Sequence, residues 1–388
     1  MSETSASSRA PAPAEPIPMA QPVLGPEEEA GVLAVLRSGQ LSLGTLLDEF
    51  ERAFAVRCRA PHASAVSSGT AGLHLALRAQ GVADGDEVVT SPFSFVASAN
   101  VIVYERARPV FADIDPVTLN LDPAAAEAAV SARTTALLPV DIFGHPADLP
   151  ALEGLGLPII EDGCQALGAV HADGIPVGGR QHPTVFGFYA NKQLTTGEGG
   201  MVCLSEVGQK ERIDAERNQG RAPDMGWLDH DRLGFNYRLS ELACALGLAQ
   251  LGRLDAMLAA RSRVAAAYRD ALAELADQRG LGLPCLDQSG ARRSWFVWVV
   301  QSPDGCPRDA VIRALRARGV DAKPYLPAIH LMSFYRERFG HREGEFPVCE
   351  RVAGASLALP FFPAMTEGQV ARVAEALNGA LDEAAPAD

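Results

Sequence analysis

The segment around Lys192 has the residue pattern with the most direct chemical meaning. Lys192 follows an apolar, aromatic stretch that includes Phe186, Phe188 and Tyr189, and a glycine-rich turn comes after it. Desolvation beside a buried strand lowers the pKa of an amine, and such an amine is a nucleophile that can form a Schiff base. A surface lysine at the end of a strand fits the same pattern equally well, so the segment alone leaves both interpretations open.

Three other segments place polar groups where an apolar run ends. Asp162 follows the run 159–161, and ligands of open α/β sheets bind at the carboxyl ends of strands, so a cation could meet it there. Small residues at 67–70 would let backbone N–H groups and hydroxyls approach an anion. Ordinary helix N-caps are the alternative at both places. Asn236 and Arg238 are either anion ligands or simply polar loop residues.

The elements that must position these residues alternate from about residue 61 to 202. Apolar runs predict strands at Ser64–Val66, Glu87–Thr90, Pro109–Phe111, Ala136–Val140, Ile159–Glu161, Thr184–Tyr189 and Gly200–Leu204. Helical spacing predicts helices at Ala71–Gln80, Val96–Glu105 and Pro123–Val130. This alternation favours an α/β fold whose sheet is largely parallel and covered on both faces.

The chain changes character after Leu239. An Ala- and Leu-rich stretch to about Asp277 predicts one long helix, or two, leading away from the sheet. A smaller domain is predicted to contain a strand at Trp295–Val300 and helices at Asp309–Arg318 and Thr366–Leu381. We therefore predict a flexible tail at 1–21, a large domain at 22–260 and a small C-terminal domain at 261–388.

Composition argues against several classes of protein. The 388 residues carry a net charge of −14 without a basic cluster, which argues against a nucleic-acid partner. No apolar run approaches the roughly 20 residues of a membrane span. The seven cysteines are scattered without a CxxC pair, which indicates free thiols and no structural metal. With no secretion signal at the start, we expect a cytoplasmic protein.

The segments, taken in order, closely resemble the DegT/StrS sugar aminotransferases. The resemblance lies in SSGTAGLHLAL (67–77), SPFSFVASAN (91–100), FADID (111–115), EDGCQALGA (161–169), FYANKQLTTGEGGM (188–201), LGFNYRLSEL (233–242), KPYLPAIH (323–330) and SLALPFFP (356–363). It covers roughly residues 20–380. It implies the aspartate-aminotransferase fold, fold type I, with a mostly parallel central sheet in the large domain and a smaller C-terminal α/β domain. It also implies a homodimer with active sites shared between subunits.

The resemblance also implies a cofactor, pyridoxal 5′-phosphate, and the residues that hold it. Lys192 matches the lysine that carries the cofactor as a Schiff base, and Asp162 the carboxylate that pairs with the pyridine nitrogen. Gln165 would lie near the phenolic oxygen of the cofactor, and Phe95 matches the aromatic residue stacked on the ring.

Phosphate binding is implied for three further residues. Gly69 and Thr70 match the phosphate-binding turn, and Asn236 matches a residue that reaches the phosphate from the other subunit. Many family members have a serine five residues before the lysine that bonds the phosphate, whereas this chain has Gly187. More of the anion binding is therefore expected from the turn, from Asn236 or from water. We assign Cys164 no catalytic role.

The implied reaction moves nitrogen from an amino acid, usually glutamate in this family, to a nucleotide-linked 4-keto- or 3-keto-6-deoxyhexose. The product is an amino sugar for a polysaccharide or a natural product. Arg238, Tyr325 and His330 are candidate acceptor contacts, and a structural loop role is the alternative for each. Alternative functions are a sugar dehydratase, which in this family has histidine in place of the lysine, a non-enzymatic regulator, and an aminotransferase for amino acids.

Overall fold

A computed structural model describes residues 15–222, 229–288 and 290–385. Its large sheet consists of β1 (His62–Val66), β2 (Glu87–Thr90), β3 (Arg108–Phe111), β4 (Thr134–Leu138), β5 (Glu161–Asp162), β6 (Thr184–Gly187) and β7 (Gly200–Leu204). The order across the sheet is β3–β2–β4–β5–β6–β7–β1, with single parallel bridges joining β4 and β5. Within this sheet β7 runs antiparallel to its two neighbours and the other pairings are parallel, so the prediction of a mostly parallel sheet is confirmed.

Helices cover this sheet. They are α1 (Pro26–Ser38), α2 (Thr45–Cys58), α3 (Gly69–Ala79), α4 (Ala97–Tyr104), α5 (Pro123–Ala129), α6 (Leu149–Glu153), α7 (Val207–Arg217), α8 (Glu241–Gly252) and α9 (Leu254–Arg279). Local signals start them: Ser68 accepts a hydrogen bond from Ala71 N at the start of α3, and Asp122 with Pro123 starts α5. The predicted helices in this region are confirmed, with ends that shift by one or two residues.

A second, antiparallel sheet follows. It is formed by β8 (Trp298–Gln301), β9 (Lys323–Pro324) and β10 (Ser356–Leu359) in the order β8–β10–β9. Its helices are α10 (Arg308–Ala317), α11 (Ser333–Phe339), α12 (Pro347–Ala355) and α13 (Glu367–Ala384). One apolar core lies between this sheet and α9, α10 and α13. The predicted boundary between residues 260 and 261 falls inside α9 and stays a prediction.

The Ala- and Leu-rich stretch forms two helices rather than one, because α8 and α9 bend by 63° where they meet. No single helix in the described ranges has the length and apolar character of a membrane span, and only this bent pair meets both conditions together. At the other end of the chain, residues 1–14 of the predicted tail lie outside the described residues. Ile17, however, is buried and forms a backbone bridge with Val320. The part of the chain that packs on the core of the second sheet therefore begins inside the predicted tail.

Candidate active site

Three of the predicted segments lie where β1, β5 and β6 end, on the carboxyl side of the large sheet. The turn after β1 leads directly into α3, whose first residues are Gly69 and Thr70. Ser68 caps this helix, as the alternative interpretation proposed, yet the first amides of a helix still lack acceptors within it and attract anions. The N-cap and the anion-binding interpretation therefore describe the same turn.

Three small residues, Gly69, Cys164 and Gly187, pack closely together beside this turn. A Cβ atom added at Gly69 would lie 2.7 Å from Cys164 Sγ and 3.2 Å from Gly187 Cα, so position 69 accepts only glycine without rearrangement. Burial raises the pKa of the Cys164 thiol, and the Asp162 carboxylate raises it further. A raised pKa makes a thiol less nucleophilic, so no catalytic role is assigned to Cys164.

Asp162 is a buried carboxylate at the end of β5. Its Oδ2 accepts a hydrogen bond of 2.7 Å from Ser98 Oγ, and its Oδ1 accepts one of 3.1 Å from Cys164 N. Among the described residues no basic side chain forms an ion pair with it. Since a buried charge is costly unless it is paired, the carboxylate is set up to receive a cation from a ligand.

Lys192 lies in the turn after β6, the neighbour of β5. Its N–H donates to Tyr189 O over 3.0 Å, and its Nζ lies 4.2 Å from the centre of the Phe296 ring. Burial lowers the pKa of the Lys192 amine, and the charge of Asp162 partly opposes this shift. The direction is that expected for a nucleophilic lysine, because more of the amine is unprotonated.

Gln165 and Phe95 approach the same edge from other elements. Gln165 is buried, and its Oε1 accepts a 3.0 Å hydrogen bond from Phe143 N, which orients the amide. Phe95 precedes α4 and is 62% exposed, an unusual state for a phenylalanine. Ser98 connects this aromatic residue to the carboxylate, since its hydroxyl lies within hydrogen-bond distance of both Phe95 O and Asp162 Oδ2.

The loop before α8 carries Asn236 and Arg238. Asn236 is exposed and pairs through its backbone with Asn218. Arg238 Nη1 donates to Asn218 Oδ1 over 3.0 Å. Tyr237 O, between them, accepts from Ser67 N in the turn before α3, so the loop is joined to the anion-binding turn.

Tyr325 and His330 differ in what they can reach. Tyr325 packs on Phe143 with ring centres 5.7 Å apart and is thereby linked to Gln165. His330 is fully buried, and its Nε2 lies 3.0 Å from Glu350 Oε1. Burial lowers the pKa of His330, although Glu350 opposes the shift. This environment favours the structural alternative for His330.

Sequence reasoning missed Ser98, Phe296 and Arg261. Arg261 Nη2 donates to Lys192 O over 3.1 Å, and Nη1 donates to Phe296 O over 3.1 Å. A signal for Arg261 does exist, because it is the charged member of an otherwise apolar helical stripe that includes Met257, Val264 and Tyr268. Ser98 and Phe296 have no comparable signal, since a serine in a helix and an apolar residue near a strand are ordinary.

Comparison with known proteins gives a consistent result over nearly the whole chain. The profile of the DegT/DnrJ/EryC1/StrS aminotransferase family matches residues 22–378. The spore coat polysaccharide biosynthesis protein SpsC of Bacillus subtilis (strain 168) is 36% identical over 379 residues, which are 93% of this chain and 96% of that protein.

Two solved structures extend the comparison to the fold. The structure of S. venezuelae DesV in complex with a ketimine intermediate superposes with a TM-score of 0.89 at 34% identity, covering 97% of this chain and 100% of that one. Helicobacter pylori PseC, an aminotransferase involved in the biosynthesis of pseudoaminic acid, gives a TM-score of 0.86 at 26% identity, covering 95% and 100%.

Proposed function

The chain belongs to the DegT/DnrJ/EryC1/StrS aminotransferase family, and from this premise we propose that it aminates a nucleotide-linked keto sugar. Members of the family depend on pyridoxal 5′-phosphate, and the chain is an aminotransferase of this kind with the fold-type-I architecture. The proposed acceptor is a 4-keto-6-deoxyhexose and the proposed donor L-glutamate. The observation that carries the proposal is a buried carboxylate without a cation, Asp162, beside a desolvated amine, Lys192.

The described residues fit this cofactor. Asp162 lacks the cation that a protonated pyridine nitrogen would provide. Phe95 has a largely uncovered ring on which an aromatic ligand can stack. In the described part of the chain Gln165 Nε2 makes no hydrogen bond, which leaves it as a donor for the phenolic oxygen. Gly69 and Thr70 offer the helix N-terminus to the phosphate.

When bound, pyridoxal 5′-phosphate supplies an aldehyde that takes up the amino group and a ring that delocalises the electrons left by proton removal. Asp162 holds the ring nitrogen protonated through a charge-assisted contact at its carboxylate. Lys192 Nζ would be the amine that holds the cofactor covalently. As an unprotonated amine it would also be the base that accepts and returns a proton at the α-carbon of the donor.

The phosphate site should depend on fewer side chains than in relatives with a serine at the position of Gly187. We propose that Ser68, Thr70 and the α3 amides bind the phosphate together with Asn236 of a second subunit. The exposure of Asn236 supports this role, because it is free to reach across an interface. Arg238 and Tyr325 remain the proposed acceptor contacts. His330 would have only a structural role, holding the segment that carries Tyr325 through its contact with Glu350.

The sugar assignment draws on the relatives. SpsC is named for polysaccharide biosynthesis and PseC for the biosynthesis of pseudoaminic acid, and both align over more than nine tenths of this chain. We propose that the protein functions in the cytoplasm as a homodimer. The seven cysteines are unpaired in the structure, which supports a reducing compartment.

The test of the proposed function is a screen of nucleotide-linked keto sugars with L-glutamate, read by the mass change from ketone to amine. Keto acids are screened in parallel. Amination of keto acids alone would replace the sugar acceptor, and release of ammonia without an amino sugar would indicate a dehydratase. Lys192→Ala should remove both the yellow absorbance and turnover while the fold stays intact, and turnover at the wild-type rate would refute the role of Lys192.

A second experiment tests the shared site. Asn236→Ala and Lys192→Ala chains are each expected to be inactive or impaired alone. Mixed dimers should regain activity at one of their two sites if Asn236 acts across the interface. Failure to regain activity in mixed dimers of demonstrated composition would count against a shared site.

A further inference from the structure

Arg261 lies in an environment that normally excludes a charge. It occupies the buried stripe of α9 among Leu254, Met257, Val264 and Tyr268 and is only 4% exposed. Within the described ranges no carboxylate forms an ion pair with it, and burial lowers the pKa of its guanidinium to about 10. A buried charge without a counter-ion costs folding free energy, which its hydrogen bonds offset only in part.

Those hydrogen bonds converge on the backbone of the reactive lysine. Arg261 Nη1 donates to Phe296 O over 3.1 Å. Its Nη2 donates to Lys192 O over 3.1 Å and, more weakly, to Asn191 O over 3.4 Å. One guanidinium therefore joins the turn after β6 to the segment that leads into β8 of the second sheet.

The two backbones joined in this way are those whose side chains meet. Lys192 Nζ lies 4.2 Å from the centre of the Phe296 ring, and Phe296 is itself buried. A shift of either backbone would move the amine relative to the ring that desolvates it. We propose that Arg261 is a positioning residue for Lys192, which fixes where Nζ meets the aldehyde of the cofactor. The inference rests on the role proposed for Lys192 but not on the identity of the sugar.

The chemistry of arginine explains why another residue would not serve. An apolar side chain would suit the stripe and avoid desolvation, but it would leave the carbonyls of Lys192 and Phe296 without a donor. A lysine is a compact point charge and lacks the planar fork that spans two separate backbones. The guanidinium of Arg261 reaches both carbonyls at once from α9.

The test follows the reaction of Lys192 with the cofactor directly. Full-length protein is depleted of cofactor and pyridoxal 5′-phosphate is added. The rate at which the Schiff-base absorbance band replaces the band of the free aldehyde is then measured, together with the melting temperature. Because misplacing a reacting group by about 1 Å can slow a reaction about 100-fold, Arg261→Ala should lower this rate by about that factor. Arg261→Lys should be about tenfold slow, since it retains one of the two backbone contacts.

Arg263, two residues along α9 and exposed, provides the matched control. Arg263→Ala should react at the wild-type rate. Methylguanidine at millimolar concentration should restore at least part of the rate in Arg261→Ala by occupying the vacated space, an effect that a loss of stability alone would not show.

The outcomes separate the two proposals. Wild-type rates in folded Arg261→Ala, or in Arg261→Lys should the alanine variant fail to fold, would overturn the inference alone. A melting temperature raised by methylguanidine with no gain in rate would reduce Arg261 to a structural residue. A Lys192→Ala protein that still formed the Schiff-base band would overturn the role of Lys192 and this inference with it.

Discussion

Two neighbouring carboxylates on β5 differ in how the protein treats their charge. Glu161 and Asp162 are both buried and point to opposite faces of the sheet, as consecutive strand residues do. Glu161 accepts a 2.7 Å hydrogen bond from Thr184 Oγ1, and its carboxylate lies 2.9 Å from His171 Nε2 and 3.6 Å from His182 Nε2. Within the described ranges the Asp162 carboxylate accepts hydrogen bonds from one hydroxyl and one backbone amide.

The difference separates a carboxylate that is paired within the fold from one that we propose binds a ligand. Burial alone would raise the pKa of Glu161, but the contacts with His171 and His182 outweigh it and lower the pKa. The protein thus stabilises the charge of Glu161 with its own side chains. Among the described residues no cationic side chain forms an ion pair with Asp162, the carboxylate that we propose receives a cation from the cofactor.

A third buried carboxyl group, that of Asp141, lies on the side of Glu161. Its pKa is raised by burial and by the charge of Glu161, which it faces. Asp141 Oδ1 accepts from Ala147 N over 2.8 Å, while Oδ2 is buried without a partner of its own. The two carboxyl groups behind the residue proposed to bind the pyridine nitrogen therefore have pKa values shifted in opposite directions, that of Asp141 raised and that of Glu161 lowered.

Of the substitutions at these three carboxyl groups, Asp162→Asn should have the largest effect, because it alters the carboxylate proposed to bind the cofactor. Asparagine keeps the acceptor for Ser98 but removes the charge, so we expect kcat to fall by about 10²–10³-fold. The melting temperature should change little, because no partner of Asp162 within the described structure is a cation. Steady-state kinetics with a thermal melt checks both, and near-normal kcat would contradict the assignment.

Glu161→Gln should instead lower the stability of the fold. Removing one member of a buried charge cluster costs about 3 kcal/mol, so the free energy of unfolding should fall by about that amount in urea denaturation at pH 7. The folded protein should retain kcat near the wild-type value. A large loss of kcat with unchanged stability would show that the two faces do not differ in this way.

The pH dependence of that loss sharpens the comparison. The pKa of Glu161 lies below its ordinary value of 4.5 in the folded state. Its stabilising contribution is therefore complete above pH 4.5 and is lost as the pH falls through the folded-state pKa. The difference in unfolding free energy between wild type and Glu161→Gln should therefore shrink as the pH falls from 5 towards 4, which urea titrations at each pH would detect.

Asp141→Asn should have the smallest effect. Asparagine resembles a protonated aspartate, since it retains an acceptor for Ala147 N and supplies a donor facing Glu161. We expect the unfolding free energy at pH 7 to stay within about 1 kcal/mol of wild type, or to rise slightly. A loss as large as that of Glu161→Gln would mean that Asp141 is ionised.

The two faces of β5 also differ in how far the sequence could predict them. The position of Asp162 at a strand end and of Lys192 after the next strand followed from apolar runs and the resemblance. The partners of Glu161 did not, because His171 and His182 lie in loops whose sequence has no period. Long-range pairing within irregular segments leaves no local pattern to read.

The second sheet shows the same limit. A strand was predicted over Trp295–Val300, but β8 begins only at Trp298. The reason is tertiary, since Ser294 N donates to Gly144 O and Phe296 O accepts from Arg261, which commits these groups outside a ladder. Apolar character could identify the segment but not its hydrogen-bond partners.

The surroundings of Gly187 leave space for a small side chain. A Cβ atom there would lie 3.4 Å from Cys164 Sγ and 3.6 Å from its Cβ, which is ordinary van der Waals contact. Unlike position 69, position 187 can therefore accept a small side chain without rearrangement. One substitution, Gly187→Ser, could therefore add a hydroxyl beside the proposed phosphate site, so the affinity for the cofactor is open to change at this position without any change in the backbone.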